Sequence, residues 1–299
     1  MPIASFEELN ALCLRQQKEH TLAVVCADSE HTLDAAVAAW KAKLARPVLI
    51  GSESGIRRKL AAMQFEEELP IIDINEPERA VMQAIELVRN GEADAIFKGM
   101  LETATLMRAI VRKENGMVIP GRVMSHVTML EIPGYHKLVG VTDGALLTYP
   151  SLEQKKALIE NAVEYLRGIG CEEPKVAVLA AVEKLNPKMP ATVDADALRQ
   201  MNESGELAGC LLAGPISYDI AMKPGAAAEK GYSHPVAGDP DLLVVPNIDV
   251  GNVLLKSLTC SARAKGAGLV LGARVPVILT SRSTGTAGKL RSIALASAL

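Results

Sequence analysis

Short apolar runs recur along the chain at Thr21–Ala27, Pro47–Ile50, Pro70–Ile74, Ala95–Phe97, Lys175–Ala180, Ala208–Leu212, Leu242–Val245 and Val275–Leu279. They are too short for helices, rich in Val, Ile and Leu, and bounded by turn residues, so they predict strands buried on both faces. Helical periodicity fills the gaps. Ser52–Met63 predicts one helix and Glu76–Asn90 another, in which Ala80, Met82, Ala84, Ile85, Leu87 and Val88 leave a charged stripe opposite, with Gly91 as the stop. The alternation of strand and helix predicts an α/β fold with mainly parallel sheets, helices on both faces and right-handed crossovers. Ligands in that architecture bind beyond the carboxyl ends of strands.

Two stretches break the rhythm. Met117–Leu130 and Lys137–Val141 are β-rich and punctuated by Pro120, Gly121, Pro133 and Gly134, which marks the expected hinge. Leu207–Tyr232 is rich in Gly and Ala and is expected to be a mobile connection. At the amino end, Ser5-Phe6-Glu7-Glu8 has the form of a capping box, so an ordered first helix is expected there.

A length of 299 residues exceeds what one hydrophobic core usually supports, which favours two domains, and 49% apolar residues indicate a folded globular protein. A net charge of -3 provides no electrostatic footprint for nucleic acid. No basic n-region opens the chain and no long uninterrupted apolar segment follows, so no membrane partner and a cytoplasmic location are expected. Cys13, Cys26, Cys171, Cys210 and Cys260 are scattered, without a C-x-x-C pair, and the histidines lack metal-ligand spacing. Neither a disulfide framework nor a metal is expected.

Polar constellations follow several of the predicted strands: Lys98-Gly99-Met100 with Thr103 and Arg108, Ser125-His126, Gly214–Asp219, Asn247–Asn252 with Lys256, and Ser281-Arg282 in the turn that opens the last helix. The last turn joins an apolar β-branched run to a helix start, which is how a parallel sheet builds an anion site. It is not an ATP-binding P-loop, because two residues rather than four separate Gly285 from Gly288-Lys289, and Leu290 stands where that motif has Ser or Thr. Lys98, Arg108 and Arg282 are suited to a multiply charged oxyanion, with Thr103, Ser125, Ser281 and Asn252 as neutral donors. Plainer roles compete for each residue. Lys98 suits a solvated strand end, Arg282 a surface ion pair, Asn252 a cap for a helix over Val253–Ser257, His126 a hydrogen-bonded core group, and Asp143 and Asp219 the anchoring of turns.

Taken together, these blocks resemble the phosphate acetyl/butyryltransferase family, on its butyryl side. The matching segments are Lys98-Gly99 with Thr103 and Arg108, Ser125-His126-Val127, Ala180–Glu183 with Asn186–Met189 and Ala191–Ala195, Gly214-Pro215, Val236–Gly238, Val245–Asn247 leading to Gly251–Leu254 and Lys256–Thr259, and Leu279–Arg282 with Lys289-Leu290. The resemblance implies transfer of a short acyl group between coenzyme A and inorganic phosphate, both as substrates, with no tightly bound cofactor. It implies two α/β/α domains flanking a cleft, like isocitrate and isopropylmalate dehydrogenases, and a homodimer. On that reading the first domain comprises residues 1–120 and 270–299, and the second residues 121–269. The catalytic set is Ser281, Arg282, Arg108 and Lys98, and the substrate-binding set is Thr103, Ser125, His126, Asp219, Gly251, Asn252 and Lys256. One departure stands out: acetyl-specific relatives carry an Asp proposed as general base seven positions beyond the Ser, where this chain has Gly288. Two other readings compete, a nicotinamide-dependent dehydrogenase of the same architecture and a non-catalytic binder of a phosphorylated metabolite. The first lacks a G-x-G-x-x-G after a strand, and the second calls for an output module for which the length leaves little room.

Overall fold

A computed structural model describes residues 3–280 and 284–299, which fall into two compact units. The terminal unit comprises Glu7–Arg122 and Ala267–Leu299, and the middle unit comprises Val123–Gly266 with the residues before Glu7. The chain begins with α1 (Phe6–Gln16), β1 (Thr21–Val25), α2 (Glu30–Lys41), β2 (Arg46–Gly51), α3 (Glu53–Ala62), β3 (Ile71–Asp73), α4 (Pro77–Arg89), β4 (Ala95–Lys98) and α5 (Thr103–Val111). It continues with β5 (Ser125–Glu131), β6 (Val139–Thr142), α6 (Leu152–Gly168), β7 (Lys175–Leu179), α7 (Pro190–Glu203), β8 (Leu211–Ile216), α8 (Tyr218–Met222), α9 (Pro224–Glu229), β9 (Leu242–Val244) and α10 (Ile248–Lys256). It then returns through β10 (Lys265–Leu271), β11 (Val277–Ile278) and α11 (Thr286–Ala296).

In the terminal unit the strands lie in the order β3-β2-β1-β4-β11-β10, parallel except for the β10–β11 pair. Leu22, Ala23, Val24, Ile96 and Phe97 are at most 1% exposed, which is why β1 and β4 read as unbroken apolar runs. The order reverses between β1 and β4, and the carboxyl ends of strands at such a switch point are where α/β sheets hold ligands. In the middle unit the order is β5-β6-β9-β7-β8, with β5 antiparallel to β6 and the rest parallel. Its core gathers Val139, Val141, Ala177, Ala213, Ile220 and Leu243.

The expected mobile connection at Leu207–Tyr232 is instead β8, α8 and α9. Its small residues serve packing: a Cβ on Gly214 would lie 2.9 Å from Val178 Cβ, and Ala213, Ala221 and Ala227 are buried. The strand expected at Ala208–Leu212 begins only at Leu211, because Gly209 adopts a φ of +82°. It then runs through Pro215, which lies on the last strand of the unit's order, where a missing N–H is tolerated. The helix expected from Asn252 starts earlier: Asn247 caps α10 by accepting the Val250 N–H at 3.1 Å, and Asn252 lies inside the helix.

Candidate active site

At the switch point of the terminal unit, the β4–α5 loop is clasped against the end of β1. The N–H groups of Gly99 and Met100 donate to the carbonyls of Val25 and Cys26 at 2.8 and 3.0 Å. A Cβ at residue 99 would lie 2.3 Å from the Cys26 carbonyl oxygen, so only glycine allows this approach. Lys98, half-buried, turns its ammonium over the loop and donates to the carbonyls of Leu101 at 2.9 Å and Gly99 at 3.4 Å. Thr103 then opens α5 exposed to solvent, and Glu102 supplies no side-chain cap, which leaves the helix start suited to an anion. Arg108, in the last turn of the same helix, is exposed, and so is Met100.

On the other side of β4 lies β11, with Ile278 paired to Phe97. Leu279 and Thr280 therefore leave the sheet at the edge where Lys98 stands. Ser281 and Arg282 come next in sequence and lie outside the described residues. Beyond them, Lys289 points inward: it is 5% exposed and donates to the Thr284 carbonyl at 2.6 Å. Burial lowers its pKa, with Asp34 acting in the opposite direction. Lys289 thus ties down the start of α11 instead of offering it a free cation. Gly288 is buried, and a Cβ there would lie 2.7 Å from the Thr284 methyl, so a larger residue requires the Thr284 side chain to move.

In the middle unit, β5 starts where β6 ends, because the two are antiparallel. This juxtaposes Ser125, His126 and Asp143. Ser125 is 2% exposed, and its Oγ accepts from Asn161, whose amide also reaches the Val123 carbonyl. His126 donates its backbone N–H to Asp143 at 2.7 Å, and burial lowers its imidazole pKa against the opposing charge of Asp143. Asp143 also accepts the N–H groups of Ala145 and Leu146 at 2.9 and 2.8 Å, a complete anchor for the turn. That turn presses on α10: a Cβ on Gly251 would lie 2.7 Å from Gly144 Cα and 2.8 Å from Val245 Cγ2. Asn252, half-buried, donates to the Gly144 carbonyl at 3.4 Å, and Lys256 is exposed. Ser125, His126, Gly251 and Asn252 are therefore gathered at one sheet end by a network that also holds the fold.

Asp219 stands apart from that group, on α8. It pairs with Lys230 at 3.0 Å, while Ser217 donates to Glu183 and Lys230 reaches Glu183 at 3.5 Å. Hydrogen bonds from Ser217 and Lys230 bring the Asp219 pKa down to about 2. This cluster borders a cavity of about 620 Å³ lined by Val182, Leu185, Pro187 and Tyr232. Lys230 carries no signal in the sequence, since only the return of α9 over α8 brings it to Asp219. Glu183 has a readable one, its place just past β7. Cys210 does not suit a covalent carrier: burial pushes its thiol up to about 11, leaving it protonated at neutral pH.

The family profile described as phosphate acetyl/butaryl transferase matches residues 75–297. The chain is 38% identical over 299 residues to phosphate butyryltransferase of Clostridium acetobutylicum, covering 98% of this chain and 97% of that protein. The chain belongs to the phosphate acetyl/butaryl transferase family. A second member, phosphate acetyltransferase of Thermotoga maritima, is 39% identical over 278 residues, covering 93% of this chain and 94% of its own. Among solved structures, a branched-chain phosphotransacylase from Enterococcus faecalis superposes with a TM-score of 0.82 at 31% identity, covering 93% of this chain and 98% of that one. The family's members are transferases, and the mixed α/β fold with mostly parallel strands is theirs. Acetyl, butyryl and branched-chain names occur at comparable identity, so overall similarity does not select the acyl group.

Proposed function

We propose that this chain is a phosphate acyltransferase that moves a short acyl group from coenzyme A to inorganic phosphate, reversibly and by direct transfer in a ternary complex. The end-to-end relation to a phosphate butyryltransferase, over 98% of this chain, carries the reading. The terminal unit supports it with the open start of α5 beside Lys98, next to the strand that leads to Ser281 and Arg282. Phosphate is itself the nucleophile, so no protein base is needed for its attack on the thioester carbon. Thr103, Arg108, Lys98 and Arg282 are assigned to hold phosphate. Ser281 is assigned to donate a hydrogen bond to the developing oxyanion or the departing sulfur, a contribution of about 2.7–4 kcal/mol for a well-placed donor. Such an arrangement works by positioning and agrees with glycine at residue 288.

Ser125, His126, Asp219, Gly251, Asn252 and Lys256 remain assigned to substrate binding, with His126 and Gly251 acting through the Asp143 turn. A homodimer and a cytoplasmic location complete the proposal; among the described residues no helix is long and apolar enough to cross a membrane. The test is to mix protein, butyryl-CoA and phosphate and follow coenzyme A release with a thiol reagent, with arsenate as an alternative acceptor. Release that requires phosphate or arsenate is the expected result. Absence of release from butyryl-, acetyl- and branched acyl-CoA alike overturns the proposal, and acyl exchange into free coenzyme A without phosphate overturns direct transfer.

A further inference from the structure

A cavity of about 630 Å³ opens at the amino ends of β1 and β2, at the opposite end of β1 from Cys26 and the β4–α5 loop. Its volume lies within the roughly 300–1,000 Å³ of small-molecule sites. Four cations line it, Lys18, Lys41, Lys43 and Arg46, against two carboxylates, Glu19 and Glu67. Lys18 lies 3.9 Å from Asp94, and Lys41 sits 5.8 Å from the centroid of the Phe65 ring. The wall also carries Trp40, half-buried and the one tryptophan of the sequence.

His20 supplies the independent observation. It borders the cavity and is 4% exposed, and its Nε2 has no hydrogen-bond partner, one of two such buried side-chain atoms among the described residues. Its backbone carbonyl is already taken by the Arg46 N–H at 2.7 Å. Nε2 is itself closed to solvent, so a ligand meets it only when the cavity wall beside it shifts, and a buried polar atom without a partner favours such a shift. Burial, and then Lys18, hold the ring's pKa below its ordinary value, with Asp94 opposing them, so the neutral imidazole offers one donor and one acceptor.

We propose that this cavity is a second ligand site, for a small organic anion of the nucleoside monophosphate class. The cations at its rim engage the phosphate and the indole of Trp40 covers the flat base, while a shift of the wall brings His20 Nε2 within reach of a polar atom of the ligand. Inorganic phosphate alone would leave the aromatic wall unused. The proposal does not depend on the acyl-transfer reading, because none of these residues belongs to the β4–α5 loop or the β11–α11 connection.

Trp40 gives a direct readout. The full chain, free of coenzyme A, is titrated with AMP while tryptophan emission is followed, with adenosine and ribose 5-phosphate as separate arms. A saturable change with a Kd of about 1 mM or tighter is expected for AMP, with each fragment binding at least about tenfold more weakly. The exposed double variant Lys43→Gln/Arg46→Gln is expected to weaken AMP by about tenfold and to leave coenzyme A release from butyryl-CoA unchanged. No saturable change with AMP overturns the proposal, as does equal AMP affinity in the double variant, which places binding elsewhere. A fragment that binds as tightly as AMP overturns the ligand class.

Discussion

The amino ends of the parallel strands are closed over in the middle unit and left open in the terminal unit. In the middle unit, Lys137 is 3% exposed and its ammonium lies 2.8 Å from Asp239 and 2.6 Å from Asp241. Lys175 pairs with Asp239 at 2.6 Å and donates its backbone N–H to Asp241 at 2.8 Å, and His136 approaches Asp239 at 2.8 Å. Tyr135 adds a hydrogen bond to the Pro240 carbonyl at 2.6 Å. Charges here satisfy one another and knot the starts of β6, β7 and β9 together. At the same place in the terminal unit, His20 Nε2 lacks a hydrogen-bond partner and four cations line a cavity. A buried charge with a full set of partners belongs to the fold, whereas an unsatisfied atom beside a cavity leaves interactions available to a ligand.

The largest effect should come from breaking the knot. Lys137→Ala leaves two carboxylates without their buried partner, and removing one member of such a pair costs about 3–5 kcal/mol. Arg46→Gln, at the exposed rim of the terminal unit's cavity, should change stability by no more than about 0.5 kcal/mol. Urea unfolding of the two variants measures both. A loss in Lys137→Ala no larger than that in Arg46→Gln would erase the distinction between the closed and the open sheet end.

At the carboxyl ends of the strands the contrast runs through Gly251. Alanine at residue 251 must displace Gly144 backbone at 2.7 Å, and overpacking of this kind costs about 1–3 kcal/mol. The Asp143 turn, with the Ser125–Asn161 and His126 contacts around it, should loosen with it. Arg108→Leu removes an exposed cation in the terminal unit. It should leave thermal stability unchanged and raise the KM for phosphate about tenfold, or ~1.4 kcal/mol, with a smaller change in kcat. If Gly251→Ala is as stable as the wild type, or if Arg108→Leu unfolds easily, the division between built-in and substrate-facing groups is wrong.

Much of the fold is legible because β1, β2, β4, β7 and β9 are buried on both faces and read as continuous apolar runs. The helices between them announce themselves by periodicity, and α4 ends within a residue of expectation. The capping box of α6, Ser151 with Gln154, is as readable as the one expected at Ser5. What stays hidden is non-local. Lys137 looks like any surface lysine until Asp239 and Asp241, about a hundred positions on, close over it. Lys230 likewise acquires its role only when α9 folds back beside Asp219. The places of Lys98, Thr103 and Arg108 in the fold are visible because a strand end and a helix start are local features. Asn252 imitates a cap in the sequence, whereas the true cap is Asn247, three residues before Val250.

The smallest expected effect separates two aspartates that share an acidic pKa. Asp219 is held at about 2 chiefly by hydrogen bonds from Ser217 and Lys230, the aspartate and the lysine both exposed. For Asp239, burial pushes the pKa up, but bonds from Lys137 and Lys175 outweigh it and bring it down to about 2. Both folded-state values lie below the ordinary 3.8, so each carboxylate contributes stability that is complete above 3.8 and is lost as pH falls towards about 2. Salt should part them. The screening length shrinks from about 10 Å at 0.1 M to about 3 Å at 1 M, which weakens exposed pairs far more than one anchored on a lysine removed from water. In a carboxyl-carbon NMR titration, Asp219 should move up towards its ordinary value at 1 M salt, while Asp239 stays near its low-salt value. Asp219→Asn should correspondingly lower the urea midpoint at neutral pH by less than Asp239→Asn does. Parallel salt shifts at the two sites would mean that the Lys137 knot is as open to solvent as the α8 pair, and the contrast between a sealed and an exposed charge cluster would fail.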